Sequence, residues 1–370
     1  MSSIQPGFSN LLNLLRWFSA LLVVINHLRS FWWIDYRDVE EKGILIKAFY
    51  FITGYGHHAV VIFFILSGFL VGGRSLQIFS SSRWNLLDYS FARIARLYPV
   101  LLMGLTLTWC CDSLGFLNFK EQGLYTLAYE SSSILDHFQE QLTIINFLGN
   151  LAMVQNILTP IYGSNAPLWS LAYEFWFYLI WPLFLYLIWG KRTYKVFAAI
   201  GLLALLTLLP QSILLYFVLW VLGAFIPFIH PPKILKWPLM AFFLANIIFS
   251  RLHLLPTFWN DLLLSITFTL FLASFKDINF SFLPKMNRIL ADFSYSLYIY
   301  HFPVLLLAVS ALNHHGWNQN RQPSLFGFVL FLQMVIGIYI LSFALGYPIE
   351  KATPKFRSWL NHINPIKRFR

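Results

Sequence analysis

What most constrains this chain is a series of continuous apolar runs, most of them near the roughly 20 residues needed to cross a bilayer. In hydrocarbon every backbone N–H and C=O has to be paired by the protein itself, which leaves helices and closed barrels as the available folds. A barrel requires alternating polarity, and these runs show none, so they read as helices. Composition agrees: of 370 residues, 58% are hydrophobic and 11% charged, too few polar side chains to cover a soluble globule. Ten spans are expected, near residues 11–30, 57–73, 96–112, 168–189, 195–209, 212–229, 237–250, 258–275, 292–312 and 325–346. Of these, 195–209 and 237–250 are short. The first run carries Arg16 and His27 and lacks a small-residue cleavage site, so it reads as a span and not as a removed leader. The fold class expected is an all-α polytopic transmembrane bundle. One membrane domain covers residues 1–350, and a short basic tail follows over 351–370.

The formal charge of +11 has two physical explanations, nucleic acid and membrane topology. Nucleic acid needs a basic stripe on a water-soluble face, and no such face is expected here, so no nucleic-acid partner is assigned. The positive-inside rule accounts for the charge instead. With a cytoplasmic N-terminus, the inner loops and tail collect Arg74, Arg83, Arg93, Arg96, Lys191, Arg192, Lys195, Lys233, Lys236, Lys276, Lys285, Arg288, Lys351, Lys355, Arg357, Lys367, Arg368 and Arg370. The outer loops collect Asp35, Asp38, Glu40, Glu41, Glu121, Glu130, Asp136 and Glu140. Both termini are therefore expected in the cytoplasm. The stretch 113–166 would lie outside, its segment INFLGNLAMVQNIL forming a surface or re-entrant helix. The two cysteines, Cys110 and Cys111, are adjacent, a spacing that suits neither a disulfide framework nor a metal site. No metal is expected.

Ionisable groups inside apolar spans are costly and mark functional positions. Four places stand out. Arg16 and His27 lie eleven residues apart in the first run, which on a helix puts them roughly 16 Å apart along the axis and on nearly one face. A histidine there serves either catalysis or a helix-to-helix hydrogen bond. In PLWSLAYEFWFYLIWPL, Glu174 lies roughly 7 to 8 Å deeper than the interfacial Trp169. Its carboxylate has to be paired or protonated, either in a structural hydrogen bond or as the partner that orients His27 as a base. In the loop segment FARIARLYP, Arg93 and Arg96 stand one turn apart, placed to grip a phosphorylated ligand or to anchor against anionic headgroups. In DFSYSLYIYHFPV, Tyr298 and His301 share a face, and Pro303 is expected to kink the helix beyond them.

In this order the motifs resemble acyltransferase family 3, which includes bacterial O-acetyltransferases of surface polysaccharides. The resemblance rests on NLLRWFSALLVVINH, AVVIFFILSGFLVGG, RIARLYP, WSLAYEFWFYLIWP and SYSLYIYHFP, and it covers most of the chain. It implies an acyl-CoA donor, usually acetyl-CoA, entering from the cytoplasm, with no permanently bound cofactor. It also implies a glycan hydroxyl as acceptor on the outer side and the bacterial cytoplasmic membrane as location. By the same resemblance His27, Glu174 and Arg16 belong to the transfer site, and Arg93 and Arg96 to the CoA phosphates. Ser67, Trp169, Ser170, Tyr298 and His301 would line the substrate channel. The chain departs from the family at Asn13, where many members have Asp, and at Val61, where many have a polar residue.

On this reading the thioester reaches His27, which deprotonates the acceptor hydroxyl or takes the acyl group itself while Glu174 fixes its tautomer. The rival class is a transporter or flippase for a glycan or lipid-linked sugar, whose hallmark would be broken helices in two related halves. The sequence shows no such symmetry.

Overall fold

The computed structural model describes residues 4–81, 83–119, 124–125, 138–252, 254–317 and 320–363. Fourteen α-helices account for most of them: α1 Pro6–Trp32, α2 Ile44–Thr53, α3 Gly56–Ser67, α4 Arg74–Ser80, α5 Leu86–Phe119, α6 Ile144–Leu151, α7 Leu168–Trp189, α8 Arg192–Leu208, α9 Gln211–Phe225, α10 Lys236–Phe249, α11 Thr257–Ser274, α12 Pro284–Asp292, α13 Ser294–His314 and α14 Leu325–Ile363. Strand-like pairing among the described residues is confined to one isolated bridge, Gln155 to Thr159.

Nine helical stretches among the described residues are long and apolar enough to cross a membrane, and the protein is an integral, multi-pass membrane protein. The span expected over 195–209 is the 17-residue α8, about 25 Å long and so shorter than the hydrocarbon layer. The other short candidate belongs to a 20-residue stretch, Lys233–Leu252, that does qualify. Several helices outrun their expected bounds. The RIARLYP segment, expected in a loop, lies within α5, which continues through Pro99. Helix α14 passes residue 350, the expected start of the tail, and runs through Pro348 and Pro354 to Ile363. Pro303 likewise lies inside an unbroken α13. Prolines are tolerated within membrane helices because neighbouring elements can satisfy the backbone groups they free.

The chain divides into two compact units. The first comprises Met1–Ser19, His58–Ser90 and Tyr173–Ile289; the second comprises Ala20–His57, Phe91–Ala172 and Leu290–Arg370. The first unit is centred on Phe8, Leu12, Ile65, Leu219, Phe268 and Leu272, all fully or nearly buried. Between α3 and α4 the backbone widens into a π-helical turn, Gly68–Gly73, and this turn packs on α9 backbone to backbone. A Cβ on Gly68 would collide with the Trp220 carbonyl oxygen, and one on Gly223 with the Ile65 carbonyl oxygen. Lipid offers no hydrophobic drive between helices, so this close approach through small residues is what holds the pair. Buried asparagines add a polar tie: Asn287 Nδ2 donates to Asn10 Oδ1 at 3.0 Å, and Trp17 Nε1 donates to Asn287 Oδ1 at 3.0 Å.

In the second unit α13 and α14 pack along each other. The indole of Trp32 donates to the Gly327 carbonyl (3.1 Å), and Trp33 stacks on Phe331, with ring centroids 5.1 Å apart. Arg321 closes the end of α1, its Nη2 donating to the carbonyl oxygens of Ser30 (3.0 Å), Phe31 (3.3 Å) and Trp33 (3.0 Å). A cation at a helix C-terminus satisfies the last carbonyls and the macrodipole together. Burial pushes this guanidinium down to about 10, with Asp35 and Tyr50 pulling it back up; it is charged at neutral pH.

The glycine contacts yield a stability test. Gly68→Ala and Gly223→Ala are each expected to cost about 1–3 kcal/mol or more through overpacking, seen as a lower Tm of the detergent-solubilised protein. Gly337→Ala, where an added Cβ meets nothing within 4 Å, should leave the Tm unchanged or raise it slightly.

Candidate active site

The second unit contains a histidine pair. His27, five residues before the end of α1, faces His301 on α13, with His27 Nδ1 and His301 Nε2 2.8 Å apart. The rings lie nearly parallel at 9°, with centroids 5.2 Å apart. His301 is fully buried, and its Nδ1 faces the carbonyl oxygens of Tyr298 (2.8 Å) and Leu297 (3.2 Å). Carbonyls only accept, so Nδ1 of His301 carries the proton and donates. In the neutral ring Nε2 is then the acceptor. His27 Nδ1 has to donate to it, which leaves the lone pair of His27 on Nε2. Phe302 packs edge-on against His27, with centroids 5.1 Å apart. The chain of donors thus fixes one tautomer and one ring plane, as a general base requires.

Around this pair the start of α7 is pinned to α13. Tyr298 Oη and Ser170 Oγ are 2.6 Å apart, and Ser170 Oγ also donates to the Pro167 carbonyl (3.1 Å). Trp169, beside Ser170, is half-buried. The preceding loop is polar yet buried. Asp112 accepts from Ser164 N and Ser164 Oγ, both at 2.7 Å. Gly163, at φ +55°, is where a Cβ would strike that carboxylate. Asn150 Oδ1 accepts from Tyr162 N (3.1 Å), and Gln155 Nε2 donates to the Leu168 carbonyl (2.9 Å). Within the stretch expected at the surface, residues 144–151 do form the short helix α6. Most of the loop from Met153 to Pro167 is buried or half-buried.

The two arginines sit on the first turns of α5, both half-buried. Arg96 forms an ion pair with Glu350 of α14 through its Nη1 and lies over the Tyr295 ring, 5.2 Å from its centroid. Glu350 Oε1 also accepts from Ser296 N and Ser296 Oγ, each at 2.8 Å, so one carboxylate serves the cation and the first turn of α13. Arg96 is therefore partly committed inside the protein, which its sequence context did not announce.

The first unit holds the remaining expected residues. Glu174, half-buried, accepts a hydrogen bond from the hydroxyl of Tyr178 one turn along α7. That hydroxyl is 3.0 Å from Ser67 Oγ, which receives the Trp220 indole N–H at 3.1 Å. Ser67 is the last residue of α3, directly before the π-helical turn. Arg16 is half-buried on α1. His27 Nδ1 meets His301, which the sequence reading placed in the channel lining, and within its own unit Glu174 receives Tyr178.

Glu350, Asp112 and Asn165 were not singled out from the sequence. The first two carry a readable signal, since Glu350 is the lone acid after Asp292 and Asp112 ends an apolar run, and acids in such places are retained for a reason.

Comparison with known proteins agrees with this architecture. The acyltransferase domain family (acyltransferase family 3) matches residues 10–347, and the chain belongs to that family of membrane acyltransferases. Over 169 residues, 43% of the chain, it is 30% identical to a Bacillus subtilis (strain 168) protein named "Putative peptidoglycan O-acetyltransferase YrhL". Over 173 residues, 46% of the chain, it is 30% identical to "Acyltransferase MdmB" of Streptomyces mycarofaciens. An uncharacterized Haemophilus influenzae protein (strain ATCC 51907 / DSM 11121 / KW20 / Rd) is 28% identical over 191 residues, 52% of the chain and 69% of that protein. The matched regions span 24% and 37% of the first two relatives. No solved structure matches the chain.

The Arg96 pair can be tested by a double-mutant cycle. Glu350→Ala should cost about 2–3 kcal/mol, below the full cost of breaking a buried pair because the Arg96 side chain is 29% exposed. Adding Arg96→Met should recover part of that loss in thermal unfolding.

Proposed function

We propose that the chain is a membrane O-acyltransferase that moves an acyl group, acetyl in the simplest case, from acyl-CoA to a hydroxyl of an extracytoplasmic glycan. The carrying observation is the His27–His301 pair in a chain of this family, because its tautomer chain leaves a directed lone pair on His27 Nε2. In the reaction His27 Nε2 takes the proton of the acceptor hydroxyl as that oxygen attacks the thioester carbonyl. The carbon–sulfur bond then breaks, and the CoA thiolate leaves with the proton returned by the imidazolium. His301 Nε2 accepts from His27 Nδ1–H throughout, so the ring keeps its orientation while its charge changes. Arg93 and Arg96 are assigned to the CoA phosphates on the cytoplasmic side, where fork-shaped cations suit phosphate. Glu174 and Arg16 are assigned to the reaction on charge alone, since each is an ionisable group kept in an apolar helix. Ser67, Trp169, Ser170 and Tyr298 shape the substrate path. The Bacillus relative, named as a peptidoglycan O-acetyltransferase, favours a cell-wall glycan as acceptor, with the bacterial cytoplasmic membrane as location.

The test is transfer of label from radiolabelled acetyl-CoA to envelope glycan in membranes carrying the protein. His27→Ala should abolish transfer, and His301→Phe should reduce kcat by about 10²–10⁴, with both variants present in the membrane at normal levels. Wild-type rates in His27→Ala would defeat the assignment. Independently, acetyl-CoA at about 100 times its Kd should stabilise the solubilised protein by about 2.7 kcal/mol; an unchanged Tm at saturating ligand would count against a CoA site.

A further inference from the structure

Four polar side chains of the first unit form one directed series of hydrogen bonds. The indole N–H of Trp220 on α9 can only donate, and it is spent on Ser67 Oγ at 3.1 Å. Ser67 Oγ lies 3.0 Å from Tyr178 Oη on α7, and Tyr178 gives its own proton to Glu174 Oε1. A phenol has one proton, so the proton between Ser67 and Tyr178 comes from Ser67. Donation therefore runs one way, from Trp220 through Ser67 and Tyr178 to the carboxylate of Glu174. Trp220 is fully buried and Tyr178 nearly so, and their rings pack edge to face with centroids 6.3 Å apart, which holds the phenol in place.

The backbone fixes where this series starts. Ser67 is the last residue of α3, and the π-helical turn Gly68–Gly73 follows it directly. A Cβ on Gly68 would strike the Trp220 carbonyl oxygen, so Trp220 gives its backbone to the glycine contact and its indole to Ser67. π-helical turns are rare and concentrate at functional positions. The far end is what requires a reason. Hydroxyls and an indole suffice to tie α3, α7 and α9 together, whereas a carboxylate in an apolar helix is costly. The bond from Tyr178 to Glu174 joins residues one turn apart on α7, so it links no second helix. Glu174 is half-buried, and its Oε2 is neither hydrogen-bonded nor one of the sealed, unpaired polar atoms among the described residues. One oxygen of the carboxylate is thus held while the other stays open. We propose that Tyr178 is a positioning residue for acyl transfer: its hydroxyl, oriented by Ser67 and Trp220, holds Glu174 by one oxygen and so presents the other to the reactants in a single orientation. The assignment rests on the acyl-transfer reading above and gives Glu174, placed there on charge alone, a fixed geometry.

The experiment measures kcat, and the apparent KM for acetyl-CoA and for an envelope glycan extract, per folded full-length protein in membranes. Tyr178→Phe keeps the ring against Trp220 and removes only the hydroxyl. It should lower kcat about 10- to 100-fold, the loss of one hydrogen bond to a charged group, while both KM values hold. Ser67→Ala, which leaves the phenol without its donor, should lower kcat less and in the same direction. In a Glu174→Ala background Tyr178→Phe should lower kcat no further, because nothing remains to be held. If Glu174→Ala transfers no label, Glu174→Gln, whose neutral amide leaves no charge to fix, supplies the background with a clearly smaller loss expected. A wild-type kcat in Tyr178→Phe overturns the assignment, and so does a loss carried by KM. The full loss persisting in the Glu174 variant reduces Tyr178 to a packing residue and overturns it as well. If Tyr178→Phe fails to accumulate, Ser67→Ala takes its place in the same cycle. Should the wild type transfer no more label than His27→Ala, the acyl-transfer reading itself falls and this assignment with it, an outcome separate from wild-type transfer that is indifferent to Tyr178.

Discussion

A buried imidazole facing two carbonyl oxygens has no choice of tautomer, and the histidine pair, with the catalytic role proposed for it, depends on that constraint. The Tyr298 and Leu297 carbonyls belong to the turn of α13 that precedes His301, so the helix backbone itself dictates which nitrogen carries the proton. The instruction passes through one 2.8 Å contact to α1, where it decides which face of His27 is basic. A carboxylate would perform the same orienting task by bringing a charge into an apolar region, at considerable desolvation cost. A second neutral ring performs it without one. The price is rigidity: α1 has to stay in register with α13.

Charge is handled differently one and a half turns earlier on α13. Glu350 meets three donors at once, a guanidinium, a backbone N–H and a hydroxyl. A lone carboxylate buried there would be unfavourable, whereas one that accepts from three donors can also tie α5, α13 and α14 together. Arg96 is thereby held in a set position over Tyr295, and a phosphate that approached it would meet an already oriented cation.

Much of this was legible in the chain because lipid imposes simple rules. The apolar runs gave the spans, and Arg16, His27, Glu174, Arg93 and Arg96 were visible as charges that hydrocarbon would not keep without cause. Helix ends were less legible. Proline ordinarily stops a helix, yet α5, α13 and α14 continue through Pro99, Pro303 and Pro354, because tertiary packing decides whether a freed carbonyl finds a substitute partner. The pairing of His27 with His301 and of Arg96 with Glu350 was hidden for a different reason. Each joins positions more than 250 residues apart, and no local periodicity encodes which faces of two distant helices meet. The buried loop of Asn165 was harder still, since its Gly, Ser and Asn composition also describes an ordinary surface turn.

The last helix is far longer than any bilayer is thick. Its 39 residues make a rod of about 58 Å, against a hydrocarbon layer of roughly 30 Å. The apolar end begins at Leu325, and Lys351, Lys355 and Arg357 follow Glu350, so the length in excess of one crossing falls in the basic part of the helix. Glu350 lies where the apolar part gives way to the basic part. Whatever bends the basic part of α14 therefore acts next to the carboxylate that holds Arg96 and the root of α13.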